Sequence, residues 1–239
     1  MKVVLFGDSL INRPFNDFDL AGYMHRDLKQ VLKNENSKIV FDIINQGYDG
    51  NKISELKEEV KIRRVLEPNP DIVIIFFDSD ISDTEIEVLE TTEYQSQYRT
   101  DLQYVIDQLK STVKYIAIAS PALLGQGSLF RRNKYKGKDR FLDLYGGINQ
   151  QVVGSNSNCV FIDMRRAWKR AVPFFNPMST CFFQDTKLSN CCWLCLGIFI
   201  WGPTLDGEHP NLYGTRIQSR QFATAIDKLL SNNNTTQQQ

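Results

Sequence analysis

Five short apolar runs punctuate this chain of 239 residues: Val3–Phe6, Ile39–Ile44, Ile72–Phe77, Tyr115–Ala119 and Val160–Ile162. Each is too short for a helix and rich in β-branched or aromatic residues, so each reads as a buried strand. Between them the apolar residues recur with helical spacing, near Leu20–Lys33, Ile53–Leu66, Tyr94–Lys110 and Asp139–Val153. A last helix is expected after Pro210, near Tyr213–Leu230. Strands separated by helices predict a parallel sheet with helices on its faces and right-handed crossovers. A dinucleotide-binding version of that architecture would carry G-x-G-x-x-G after the first strand, and none is there.

The first strand runs straight into Gly7-Asp8-Ser9-Leu10. Gly-Asp supplies a sharp exit that lifts the next side chain out at the strand's carboxyl end, where open α/β sheets bind ligands. A serine hydroxyl there is a candidate nucleophile if a base can take its proton. The chain has two histidines, His25 and His209. His25 lies in the expected first helix without a nucleophile or metal-ligand pattern around it, and reads as structural. His209 closes Asp206-Gly207-Glu208-His209, with a carboxylate three residues earlier that can orient its ring. Ser9, His209 and Asp206 are the parts of an acyl-transfer triad, with Glu208 a competing partner for the histidine.

These blocks resemble the SGNH (GDSL-type) hydrolase superfamily of esterases and lipases, and their form is similar to the isoamyl-acetate-hydrolysing esterases. Gly7-Asp8-Ser9-Leu10 matches the first block and Asp206-x-x-His209 the last. Asn45-Gln46-Gly47-Tyr48-Asp49-Gly50 matches the second. The third, usually Gly-x-Asn-Asp, is expected after the third strand, where Asp78 replaces the glycine and Asp80 the asparagine. The resemblance covers residues 2 to 230 and implies a three-layer αβα sandwich around a five-stranded parallel sheet, flavodoxin-like in form. It also implies an oxyanion hole built from the Ser9 N–H, the Gly50 N–H and the side chain at position 80. Gly50 is chosen over Gly47 because the family's donor glycine is the second of the pair.

Asp80 breaks that pattern chemically. An ionised carboxylate only accepts hydrogen bonds and repels the charge that develops on an oxyanion. Three alternatives stay open: a buried, protonated Asp80 that donates; an Asp80 that points elsewhere; or a weak or inactive enzyme. A divalent-metal loop starting at Asp78, Asp80 and Asp83 is excluded, since its glycine and twelfth-position glutamate are missing and Leu89 stands at the latter.

Lys+Arg and Asp+Glu both number 28, so no net field favours nucleic acid or an anionic membrane. The longest apolar run, Cys191 to Trp201, is about half of what a membrane span needs. No secretory signal pattern is apparent, and a cytoplasmic location is expected. Of five cysteines, Cys181, Cys191, Cys192 and Cys195 cluster. Cys192-x-x-Cys195 has metal-ligand spacing but no matching second pair, so buried thiols are the better reading and no metal is expected. Leu123–Lys138 reads as an exposed loop. Pro173 to Pro203 is an aromatic-rich insertion, either an acyl-binding wall or a flap over the sheet edge. One domain is expected over 1–231, with 232–239 a disordered polar tail.

The sequence therefore points to a serine hydrolase of small carboxylic esters, working through an acyl-enzyme on Ser9 without a cofactor. A carbohydrate deacetylase or thioesterase would use the same machinery. The alternative from another class is a weakened SGNH domain that binds an acyl or glycan ligand. Nothing in the residues sets an oligomeric state.

Overall fold

The computed structural model describes residues 1–12, 28–33, 39–122, 137–171 and 212–236. Its strands are β1 (Lys2–Gly7), β2 (Asp42–Gly47), β3 (Ile72–Phe76), β4 (Tyr115–Ala119) and β5 (Cys159–Ile162), all parallel, in the order β2-β1-β3-β4-β5. Its helices are α1 (Ser9–Asn12), α2 (Ile53–Leu56), α3 (Glu59–Leu66), α4 (Ser79–Ser82), α5 (Ile86–Leu89), α6 (Thr92–Leu109), α7 (Asp139–Gly154), α8 (Met164–Ala171) and α9 (Leu212–Thr236); residues 28–33 are also helical.

The period-two alternation of the strands sorts the core into two layers. Val4, Phe6, Val73, Ile75, Ile116 and Ile118 face one side, where α2, α3, α6 and α7 pack. Val3, Leu5, Ile72, Ile74, Ala117 and Ala119 face the other, against α1, residues 28–33, α8 and α9. β3 is buried along its whole length, as a central strand covered on both faces must be. The expected three-layer αβα sandwich is the observed fold.

Four expected segments differ in detail. β2 runs from Asp42 to Gly47, three residues beyond the apolar run, because Asn45 and Gln46 are tolerated on a half-buried edge strand paired with Leu5 and Phe6. The helix expected over Ile53–Leu66 is two helices, broken at Lys57 and Glu58. Ile53 and Ile62 lie nine positions apart, on opposite sides of any continuous helix, yet both belong to the same core. The break turns the second pair, Ile62 and Val65, back onto the sheet. α9 continues through Thr236, into the segment expected as a disordered tail, since its asparagines and threonines include no glycine or proline to stop it. Lys138, the last residue of the expected exposed loop, is buried and donates through Nζ to the Ser82 carbonyl at 2.9 Å.

Among the described residues, no helix is long and apolar enough to cross a membrane, and no group of acidic, histidine and cysteine side chains could hold a metal ion. Asp206, His209 and His25, the clustered cysteines and the Pro173–Pro203 insertion lie outside the described residues.

Candidate active site at the carboxyl edge of the sheet

Strand order reverses between β1 and β3: the chain builds β2 on one side of β1, then crosses to place β3 on the other. In open parallel sheets this switch point opens a crevice beyond the strand ends. Ser9 follows β1, Gly50 follows β2 and Asp80 follows β3, so three adjacent strands carry the three described candidates to one edge.

The turn after β1 needs its glycine. A Cβ on Gly7 would lie 1.8 Å from the Phe76 carbonyl oxygen, so only glycine lets the ends of β1 and β3 approach this closely. Asp8 then ties the two turns together. Its Oδ1 accepts from the Leu10 N–H at 2.9 Å, and its Oδ2 accepts from the Asp78 N–H at 2.8 Å, the Ser79 N–H at 2.9 Å and the Ser79 hydroxyl at 2.7 Å. Burial pushes the Asp8 carboxyl above its ordinary range, and these donors pull against that. Ser9, the next residue, is 9% exposed and opens α1.

The loop after β2 distinguishes its two glycines. Gly47 ends the strand opposite Gly7, and its N–H donates to Asn45 Oδ1 at 2.9 Å, while Asn45 Nδ2 donates to the Ile11 carbonyl at 2.9 Å. Gly50 is exposed, with φ of +67°, the left-handed region that favours glycine. Among the described residues its N–H enters no hydrogen bond.

After β3, Asp78, which stands where the block that the sequence resembles carries a glycine, has φ of −142°, where no glycine is required. Asp80 is 3% exposed. Its Oδ2 accepts from the Ile53 N–H at 2.7 Å and its Oδ1 from the Tyr94 hydroxyl at 3.1 Å. Behind Tyr94, Thr84 Oγ1 lies 3.2 Å from the phenol oxygen and accepts from Lys52 Nζ at 2.7 Å. Desolvation pushes the Asp80 carboxyl up to about 7; the Ile53 N–H, the Tyr94 hydroxyl and the Lys52 charge pull it down, and the Asp8 charge pushes it up. Burial and the Asp80 charge push the Tyr94 phenol well above its ordinary range, so it stays a donor.

Asp8 was legible only as a motif letter, and its contacts 70 and 71 residues away carry no local signal. Tyr94, Thr84 and Lys52 were missed as site residues. A lone tyrosine near a helix start reads as core, and only its placement beside Asp80 marks it.

The fold is shared with carbohydrate esterases of known structure. Axe2, an acetylxylan esterase from Geobacillus stearothermophilus, is 19% identical, with 94% of this chain and 93% of that one covered and a TM-score of 0.66. The acetyl xylan esterase AlAXEase is 22% identical over 95% of this chain and 100% of its own, with a TM-score of 0.65. LAE5, an alpha/beta hydrolase enzyme from the metagenome of Lake Arreo, Spain, is 20% identical over 95% of both chains, with a TM-score of 0.67. No protein-family model matches the chain, and no curated protein shows significant similarity to it.

Proposed function

We propose that this chain is a serine hydrolase that cleaves small carboxylic esters. The observation that carries the reading is the Gly7-Asp8-Ser9 turn at the β1/β3 switch point, held to the third block by the Asp8 carboxylate. A serine on such a turn is presented to a ligand rather than to the core. In this reading His209 takes the Ser9 proton and Asp206 fixes the tautomer of its ring. Ser9 Oγ attacks the acyl carbon, and the N–H groups of Ser9 and Gly50 receive the oxyanion. His209 then returns the proton to the departing alcohol, and water repeats the sequence to release the acid.

The structural neighbours named as acetylxylan esterases make acetylated carbohydrate the first substrate class to test. Isoamyl acetate is the second, from the resemblance of the sequence blocks. A weakened domain that binds an acyl or glycan ligand is the competing reading, favoured by Asp80 accepting on both oxygens where the family has an amide donor. Hydrolysis of p-nitrophenyl acetate, acetylated xylan and isoamyl acetate by the wild type and by Ser9→Ala separates the two. Turnover lost in Ser9→Ala supports the hydrolase. Ligand binding without turnover in either protein supports the binding domain.

A further inference from the structure

Asp80 is one end of a line of donors that runs across the site wall. Lys52 Nζ donates to Thr84 Oγ1, and either hydroxyl of the Thr84 and Tyr94 pair can donate to the other. With the threonine donating, the phenol proton is left for Asp80 Oδ1 at 3.1 Å, the Asp80 carbonyl being a longer second acceptor at 3.4 Å. Every donor in this orientation points toward the carboxyl, and such chains polarise one another. On the other oxygen, the Ile53 N–H fixes Oδ2 as an acceptor. The partner of Oδ1 is a hydroxyl, which can accept as well as donate, whereas the Ile53 N–H can only donate. A proton taken up by Asp80 therefore belongs on Oδ1 and makes the group similar in shape to the family's amide: one acceptor oxygen and one donor.

We infer that Tyr94, with Thr84 and Lys52 behind it, is a positioning residue that fixes the Asp80 carboxyl and sets how readily it takes up the proton it needs to donate to an oxyanion. This rests on the esterase reading for its catalytic consequence, while the control of Asp80 itself does not. The titratable groups that face Asp80 among the described residues are Asp8 from the β1 turn, Lys52 ahead of α2, Tyr94 and Tyr98 on α6 and Tyr145 on α7. Lys138 reaches the neighbouring Ser82 carbonyl. Asp8 disfavours the charged form of Asp80, Lys52 favours it, and the three phenols stay neutral. The hydroxyl of Tyr94 stabilises the ionised carboxyl, so its removal must raise the pH at which Asp80 loses its proton. Protonated Asp80 is the donor, so activity falls as pH rises through that point.

The test is Tyr94→Phe, read in two independent ways. Carboxyl-carbon NMR of aspartate-labelled protein, with Asp80→Asn identifying the resonance, should show the Asp80 titration moving up by about one to two pH units. The alkaline limb of kcat for p-nitrophenyl acetate should move up by the same amount with KM unchanged. In an Asp80→Asn background, Tyr94→Phe should move no limb. An Asp80 titration that stays in place or falls overturns the inference, as does a limb shift of equal size in the Asp80→Asn background. If Tyr94→Phe fails to fold, Thr84→Val gives the same reading, since Thr84 is uncharged and reaches Asp80 only through Tyr94: a smaller upward shift supports the wire, and no shift overturns it. If no ester is cleaved and Ser9 takes no probe, the esterase reading falls, and the NMR titration still decides whether Tyr94 controls Asp80.

Discussion

Two buried aspartates stand at the ends of adjacent strands, and their surroundings give them different work. Asp8, after β1, receives three backbone N–H groups and a hydroxyl, all from the two turns it joins. Asp80, after β3, receives one backbone N–H and one phenol. Asp8 is a latch: three of its four donors are main chain, so altering it alters the shape of the turn that carries Ser9. Asp80 is adjustable: one of its two donors is a side chain that leads through Thr84 to a lysine. The number and kind of donors, more than burial alone, separate a carboxylate that holds a site together from one that can change state within it.

The comparison breaks first at Asp8. Asp8→Ala leaves three N–H groups and a hydroxyl without an acceptor, and should cost more than about 3 kcal/mol in urea unfolding. Labelling of Ser9 by a fluorophosphonate should be lost even under conditions where the variant remains folded. If stability and labelling both survive, Asp8 is no latch. Gly7→Ala should cost about 3 kcal/mol, because β1 and β3 must part to admit the methyl group against the Phe76 carbonyl. A melting temperature equal to that of the wild type would show that the strand ends are not held this close.

Asp80→Asn tests the other side. The amide keeps the acceptor for the Ile53 N–H and cannot ionise. With the wild-type carboxyl titrating at about 7, both side chains offer a donor below that pH and the ratio of variant to wild-type kcat should be close to one. Above it the ratio should grow about tenfold per pH unit, toward the loss of about 10²–10³ typical of one missing oxyanion donor. A ratio independent of pH would separate Asp80 from the oxyanion. Stability carries the same signature. Folded Asp80 holds its proton to about 7 and the unfolded residue only to about 3.8, so wild-type stability should fall as pH rises across that window. Asp80→Asn should remove that part of the slope. The smallest effect is expected for Thr84→Val, which cuts the wire one step further out. The Asp80 titration should rise by less than in Tyr94→Phe, and a larger rise would place the control at Lys52 and Thr84 rather than at Tyr94.

The sheet was readable from sequence wherever burial is two-sided. Tyr115–Ala119 and Ile72–Phe76 are uninterrupted apolar runs because both faces of a central strand are covered. Legibility failed at the edge, where β2 carries Asn45 and Gln46 on a half-buried strand. It failed again at the break between α2 and α3, because helical spacing does not reveal where a helix must restart to return its apolar face to the core. Within the site, Ser9, Gly50 and Asp80 could be named because each follows a strand in a recognisable block. The latch and the wire could not, since they join Asp8 to Ser79 and Lys52 to Thr84 across long stretches of chain, and hydrogen bonding between distant polar residues leaves no periodic trace.

The central claim is that the turn holding Ser9 presents a working nucleophile. Incubation with a fluorophosphonate, followed by intact-protein and peptide mass spectrometry, tests it directly. The account predicts one adduct per chain, on Ser9, absent from Ser9→Ala and lost together with ester hydrolysis. An unlabelled wild-type protein, or an adduct that persists in Ser9→Ala, would contradict it.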